Sequence, residues 1–150
     1  MEIRRCGAHD GDAVRALASR LTTGVAPWRD HNAVHTAVCA WVDAALAGHD
    51  DQRPVFVAES AGHVVGFVAA GTRNHWAGDT DAYIGELAVA TEHTARGVGR
   101  ALVTAVESWA RDAGYARITL ETGALNHGAR AFYHQLGYTD EEVVLTRPLD

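Results

Sequence analysis

The sequence has two cysteines, Cys6 and Cys39. That is too few for a disulfide framework or a cysteine-built zinc site, so both read as reduced, structural residues. No apolar run approaches the ~20 residues that a bilayer-spanning helix needs, and the opening residues MEIRRCGAHD contain no signal-peptide segment. These absences point to a soluble, cytoplasmic protein with no membrane partner. Positive charge is also in short supply: 13 Lys plus Arg stand against 19 Asp plus Glu, for a formal net charge of −6. That balance argues against nucleic acid and for a cationic partner. Repeats, low-complexity tracts and linkers are missing too, and 150 residues make one domain (1–150) with a sizeable core.

Helical and strand patterns alternate along the chain. EIRRC (2–6) reads as a first strand, and Asp10 or Asp12 can cap a helix carrying Val14, Leu17 and Leu21 at helical spacing. Gly24 and Pro27 end it. A second helix is expected from about Asp30 to Ala47, with Val34, Val38, Trp41, Val42 and Ala45 on one face and Gly48 as its cap. PVFVAES (54–60) and HVVGFVAAGTR (63–73) read as strands joined by a tight hairpin. After the polar loop NHWAGDTD come a strand at 82–90, a helix beginning near residue 98, and a strand at 116–122. That order implies a parallel, right-handed crossover. A short helix at 126–138 and a last strand at 141–149 complete the reading.

The link between the 82–90 strand and its helix is the most informative stretch. Ala95-Arg96-Gly97-Val98-Gly99-Arg100 sets two glycines and two arginines at a helix N-terminus. Backbone N–H groups and the helix dipole favour an anion there, glycines let it approach, and arginines add charge-assisted contacts. The stretch reads as a pyrophosphate cradle. It is not a dinucleotide-binding fingerprint, because Leu102 stands where a third glycine is required, and it is not a P-loop, because no Gly-Lys-Ser/Thr occurs. A Gly-x-Gly before a helix also serves simple tight turns.

A second motif narrows the choice. NHGARAFYHQLGY places Asn126, Ala129, Phe132, Tyr133, Gly137 and Tyr138 at N-x-x-A-x-x-F-Y-x-x-x-G-Y, again after a strand. Together the two motifs resemble the GNAT superfamily of acetyl-CoA-dependent N-acetyltransferases, and the resemblance runs from about residue 54 to 150. The family loop is usually Q/R-x-x-G-x-G/A, and Thr94 takes its first position here. Backbone contacts to phosphate do not need that side chain.

The resemblance implies an α/β (α+β) fold with a mixed, largely antiparallel sheet flanked by helices, whose fourth and fifth strands run parallel and splay apart to admit pantetheine. It implies backbone hydrogen bonds to pantetheine from Leu87, Ala88 and Val89, pyrophosphate held by residues Ala95 to Arg100, and Asn126 against the cofactor arm. Tyr133 would sit beside the thioester sulfur, where a phenol can protonate the departing thiolate. Phe132 next to it suits packing, a role open to Tyr133 as well.

Two carboxylates compete as general base. Glu121, five residues before Asn126, matches a glutamate that serves some relatives, and it is the favoured choice, acting through water. Glu86 adjoins the pantetheine segment, but some relatives place their glutamate where this chain has Gly85, and a one-residue register change reverses the face. Either can instead be a solvated or salt-bridged strand residue. The implied reaction is direct attack by a primary amine on acetyl-CoA. Neither cysteine lies in the motifs and no Ser-His-Asp set offers a covalent step. Backbone N–H groups, Val89 foremost, would stabilise the oxyanion.

No metal is expected: His31 and His35 have zinc-protease spacing, but Asn32 occupies the position of the required glutamate. His75, Trp76, Asp79 and Asp81 are placed either in an acceptor pocket or in a plain polar loop. Trp28 and Trp41 read as packing residues, with Trp28 also suited to the rim of a cleft. The acceptor is expected to be a small polycationic amine, with an aminoglycoside as leading choice. The net charge, the acidic pairs near 50–51 and 79–81, and a likeness of TRNHWAGDTDAYIGELAV to aminoglycoside 6'-N-acetyltransferases support it. A protein N-terminus or lysine is the rival acceptor, a non-catalytic CoA-binding sensor the rival class, and monomer and homodimer both stay open.

Overall fold

The computed structural model describes residues 1–150. Strands β1 (Glu2–Arg5), β2 (Val55–Ser60), β3 (His63–Asn74), β4 (Thr80–Val89) and β5 (Ile118–Leu120) form one sheet in the order β1-β2-β3-β4-β5. The first three junctions are antiparallel and β4–β5 is parallel. The β2–β3 hairpin closes on Ala61 (φ 51°) and Gly62 (φ 79°). Two consecutive positive φ values suit the right-handed twist of the strands they join.

Four α-helices cover the sheet: α1 (Gly11–Ala16), α2 (His31–Ala47), α3 (Val98–Asp112) and α4 (His127–Gln135). The expected first helix is cut short at Ala16, and a 3-10 segment at Ala18–Thr22 continues the chain. In α2, Asp30 caps the N-terminus, its carboxylate accepting from Ala33 N–H at 2.8 Å. In α3, Val98, Leu102, Val103, Val106 and Ala110 make one buried stripe, the spacing that lays a helix on a sheet.

Two cores result, one on each face. Ala58, Val65, Val68, Ile84 and the α3 stripe pack with Tyr133 on one side. Val14, Leu17, Ala18 and Val42 pack with Val55, Val57, Phe67, Ala69 and Ala88 on the other. Near β1, Asp10 is 3% exposed and held by the two terminal guanidinium nitrogens of Arg4 and by Gly7 N–H. The Arg4 hydrogen bonds pull its pKa down to about 2. The stability this adds is present above the usual carboxylate range and is lost as pH falls towards 2.

Three expectations fail. Residues 141–149 form no strand and are exposed throughout, because no neighbouring strand lies alongside them. β5 shrinks to three residues, since it diverges from β4 at once. Trp28 and Trp41 are 53% and 54% exposed and do not fill the core. On α2, Val38 and Val42 alone are fully buried, and Trp41 falls outside that narrow stripe.

Candidate active site

β4 and β5 pair at Ala82–Ile118, Tyr83–Thr119 and Ile84–Leu120 and then part. Beyond Ile84, β4 continues to Val89 with β3 on one side and a gap on the other. Ala90 N–H donates to Val65 O at 2.8 Å. Alternation along an antiparallel ladder then turns the Ala88 peptide groups towards β3 and those of Leu87 and Val89 towards the gap. Of the three residues expected to meet pantetheine, Ala88 therefore spends its backbone on the sheet. The Val89 carbonyl accepts from Arg20 Nε at 3.1 Å, a contact from the 3-10 segment that the sequence pattern does not announce.

A single 3-10 turn, Thr91–His93, leads from β4 towards α3. Ala95 (φ 59°) and Gly97 (φ 81°) both take left-handed backbone, and Gly97 is the cap residue with no side chain to satisfy the helix. The N–H groups of Val98, Gly99 and Arg100 thus begin a 15-residue helix without intrahelical acceptors, flanked by the exposed side chains of Arg96 and Arg100. A Cβ on Gly99 would lie 3.3 Å from Phe132 Cζ, so this glycine lets α4 close onto the first turn of α3.

That contact brings Tyr133 into the core of the α3 face, where Leu87 and Val89 also pack. Its ring meets Phe132 and Tyr138 edge-on at 5.0 and 5.4 Å. Burial pushes the phenol above its ordinary pKa. No buried polar side-chain atom lacks a hydrogen-bond partner, so the unbonded hydroxyl is the water-accessible tip of an otherwise buried side chain. Asn126 caps α4, its Oδ1 accepting from Ala129 N–H at 3.1 Å, and its Nδ2 donates to Thr23 O at 3.4 Å. Both ends of this amide are occupied by protein groups.

The opposite face of the sheet holds the carboxylates. Register places Ala69 opposite Glu86 and Ala70 opposite Ile84, leaving Gly85 as an extra, bulged residue. A bulge of this kind flips the side chains that follow, so Glu86 shares a face with Tyr83, Arg73 and Glu121 instead of pointing away. Glu86 is half-buried among groups that offer it no hydrogen bond, and desolvation lifts its pKa to about 7. Glu121 is exposed and ion-paired with Arg73, whose guanidinium stacks 5.2 Å from the Tyr83 ring centroid. Tyr83 and Arg73 were not singled out from sequence. The signal was the glycine inside the alternating run AYIGEL, which marks a bulge and hence a change of face.

The acidic loops do not line this gap. Asp79 and Asp81 are each held by Arg117 at 3.0 Å. The loop with His75 and Trp76 lies beyond the far end of β4, six residues or ~20 Å of strand from Glu86. Asp51 lines a separate cavity of about 570 Å³ between α3 and β1–β2, with Arg5, Phe56 and Trp109. Asp50 is consumed in a turn, accepting from the Gln52 and Arg53 N–H groups.

Known proteins can be set against this geometry. N-acetyltransferase 8 of Rattus norvegicus is 32% identical over 115 residues, which cover 75% of this chain and 51% of that protein. The chain spans about half the length of the curated relatives it matches. Among solved structures, a mutant protein of Bacillus halodurans superposes with a TM-score of 0.83 at 21% identity, covering 99% of both chains. Aminoglycoside N-acetyltransferase AAC(6')-Iy, in complex with the bisubstrate analog CoA-S-monomethyl-acetylneamine, gives 0.74 at 21% identity, covering 99% of this chain and 98% of that one. At these identities the structural likenesses establish the fold. The model of the acetyltransferase (GNAT) family matches residues 14–138, which is most of the sequence, and the chain belongs to that family.

Proposed function

We propose that this chain transfers the acetyl group of acetyl-CoA to a primary amine of a small polycationic acceptor, with an aminoglycoside as leading choice. The observation that carries the transfer is the gap beyond Ile84 and Leu120. The Leu87 peptide groups offer strand-like hydrogen bonding to an extended pantetheine arm there, while the Val89 carbonyl is held by Arg20 and its N–H is left facing the gap. The uncapped start of α3, with Arg96 and Arg100, suits the pyrophosphate. Acetyl-CoA, when bound, supplies the activated thioester.

Glu86 is the general base in this reading. An alkylammonium acceptor of reference pKa about 10.4 must lose a proton before it attacks, and a carboxylate poised at about 7 takes that proton far better than an ordinary one. Glu121, tied to Arg73, orients the acceptor. The Val89 N–H stabilises the oxyanion, and the Tyr133 hydroxyl donates to the leaving sulfur. Because burial strengthens the hold of Tyr133 on its proton, its main contribution is a hydrogen bond to the developing thiolate.

For the acceptor, support comes from the paired carboxylates on one face, the net charge of −6, and the neighbour that holds a CoA–acetylneamine analog. The test is a thiol-release assay with kanamycin-like aminoglycosides, spermidine and a lysine peptide at low and high salt. Aminoglycoside turnover that weakens with salt is expected. Efficient turnover of the peptide alone would replace the small amine with a protein acceptor, and no turnover with any amine would leave a CoA-binding sensor.

A further inference from the structure

Arg20 reaches Val89 from far away in the chain, its Nε donating to the carbonyl at 3.1 Å across 69 positions. The 3-10 segment that carries it is firmly seated. Leu17 and Ala18 are 8% and 2% exposed in the core that also holds Ala88, and Leu21 packs against that core. Its far end is clasped to the chain leaving β5. Asn126 Nδ2 donates to Thr23 O at 3.4 Å, and a Cβ on Gly123 would collide with Gly24 O, so glycine is required where the two backbones meet. Residues 20–24 thus bridge β4 and β5 where the strands part, with Arg20 at the β4 end.

In an extended strand the N–H and C=O of one residue leave on the same edge. An oxygen that accepts from the Val89 N–H therefore lies beside whatever holds the Val89 carbonyl. Nε uses one of the five guanidinium donors, and no other hydrogen bond takes the remaining four. Unlike Arg4, Arg15, Arg73 and Arg117, Arg20 pairs with no carboxylate. Glu86 does not draw on its charge either, since the raised pKa of that carboxyl has burial as its one cause. We propose that Arg20 is a further catalytic residue, its terminal nitrogens joining the Val89 N–H in holding the thioester oxygen as it becomes an oxyanion. This role rests on the acetyl-transfer reading above. As the C–N bond forms, the carbonyl π pair moves onto oxygen; it returns as the C–S bond breaks and sulfur leaves as the thiolate. The ammonium has already given one proton to Glu86, and nitrogen sheds a second on collapse, matching the one that the thiolate takes up. A fixed cation strengthens its hold as charge develops on the oxygen. A guanidinium keeps its proton throughout, so it holds the oxygen without protonating it.

The test compares the parent with Arg20→Ala and Arg20→Gln, each checked for cooperative thermal unfolding. Arg20→Gln keeps a donor for the Val89 carbonyl and loses the charge. In both variants kcat should fall about tenfold to a hundredfold, while acetyl-CoA affinity by calorimetry stays within about threefold. Added guanidinium ion should restore part of kcat to Arg20→Ala and none to Glu86→Gln. Infrared spectra of bound, isotope-labelled acetyl-CoA need no acceptor, and the thioester carbonyl should absorb at lower frequency in the parent than in either variant. A parent-like kcat and carbonyl frequency in Arg20→Ala overturns the assignment and leaves acetyl transfer standing. So does a parent-like Arg20→Gln, which would reduce Arg20 to a prop for the Val89 carbonyl. Affinity that falls with kcat unchanged would make Arg20 a cofactor anchor, and affinity that rises would make it an obstruction to pantetheine; either overturns the catalytic role. A parent that turns over no amine sinks the transfer reading instead, and the carbonyl frequency then still decides for or against Arg20.

Discussion

The two faces of β4 beyond Ile84 are made from different materials. On the α3 side the gap is lined by backbone: the Leu87 and Val89 peptide groups and the first turn of α3, with Tyr133 as the one buried polar side chain. On the other side the work falls to side chains, Glu86 half-buried and Glu121 paired with Arg73. Backbone is indifferent to most substitutions and depends on φ and register, whereas a carboxylate depends on the dielectric around it. The CoA side should therefore break at glycines and the acceptor side at single ionisable groups.

The largest effect is expected at Glu86. Glu86→Gln should lower kcat/KM about 10²–10³-fold and remove the acidic limb near pH 7. The same variant should be the more stable protein at high pH. Burial keeps the native carboxyl protonated up to about 7 while the unfolded chain releases that proton near 4.5. Native stability thus falls as pH rises through that window, by on the order of 3 kcal/mol at most. Denaturant melts should show the variant level with the parent at pH 4 and ahead at pH 8. A parent-like rate profile would move the base elsewhere.

On the CoA side, Gly97→Asp puts a carboxylate at a left-handed cap beside the free N–H groups. Acetyl-CoA affinity should weaken roughly tenfold to a hundredfold. The open space around this glycine, with no atom within 4 Å of an added Cβ, means the loss comes from charge and φ, not from a clash. Calorimetry on the folded variant measures it, and unchanged affinity would reassign the cradle.

Sequence alone reached the backbone side more fully than the side-chain side, for physical reasons. The 95–100 turn, the hairpin at 61–62 and the Asp30-capped helix are local: glycine, cap and periodicity determine them within a few residues. The face of Glu86 is not local, because it depends on which residue of β4 is bulged against β3. Nor is the partnering of Asp79 and Asp81 by Arg117, over 30 residues away in the chain, which removed the acidic loop from the acceptor side. The expected strand at 141–149 has strand chemistry, but no strand of the sheet pairs with it. Trp41 matched a helical spacing, but α2 buries a stripe too narrow to include it.

A smaller effect is expected at Tyr133. Tyr133→Phe keeps the ring that packs with Phe132 and Tyr138 and removes only the hydroxyl at its solvent-accessible tip. The lost hydrogen bond matters when negative charge develops on sulfur, so kcat should drop about tenfold while acetyl-CoA binding stays within about twofold. Stopped-flow chemistry and calorimetry separate the two, and a parent-like kcat would return Tyr133 to the core as a packing residue.

The smallest change is expected where sequence reasoning put the base. Glu121 is exposed and already committed to Arg73, so its carboxylate lies in solvent and is held by a cation. Glu121→Gln keeps the shape, loosens Arg73 over Tyr83, and should leave kcat within about threefold of the parent while raising KM for the amine. An exposed ion pair contributes at most about 1 kcal/mol, so stability should barely move. The informative readout is the pH profile. If Glu121 only orients the acceptor, the limb near 7 survives in Glu121→Gln and disappears in Glu86→Gln. The reverse pattern would make Glu121 the base and Glu86 a buried acid in the acceptor wall, inverting the assignment of the two carboxylates on a face that has already been shown to hold both.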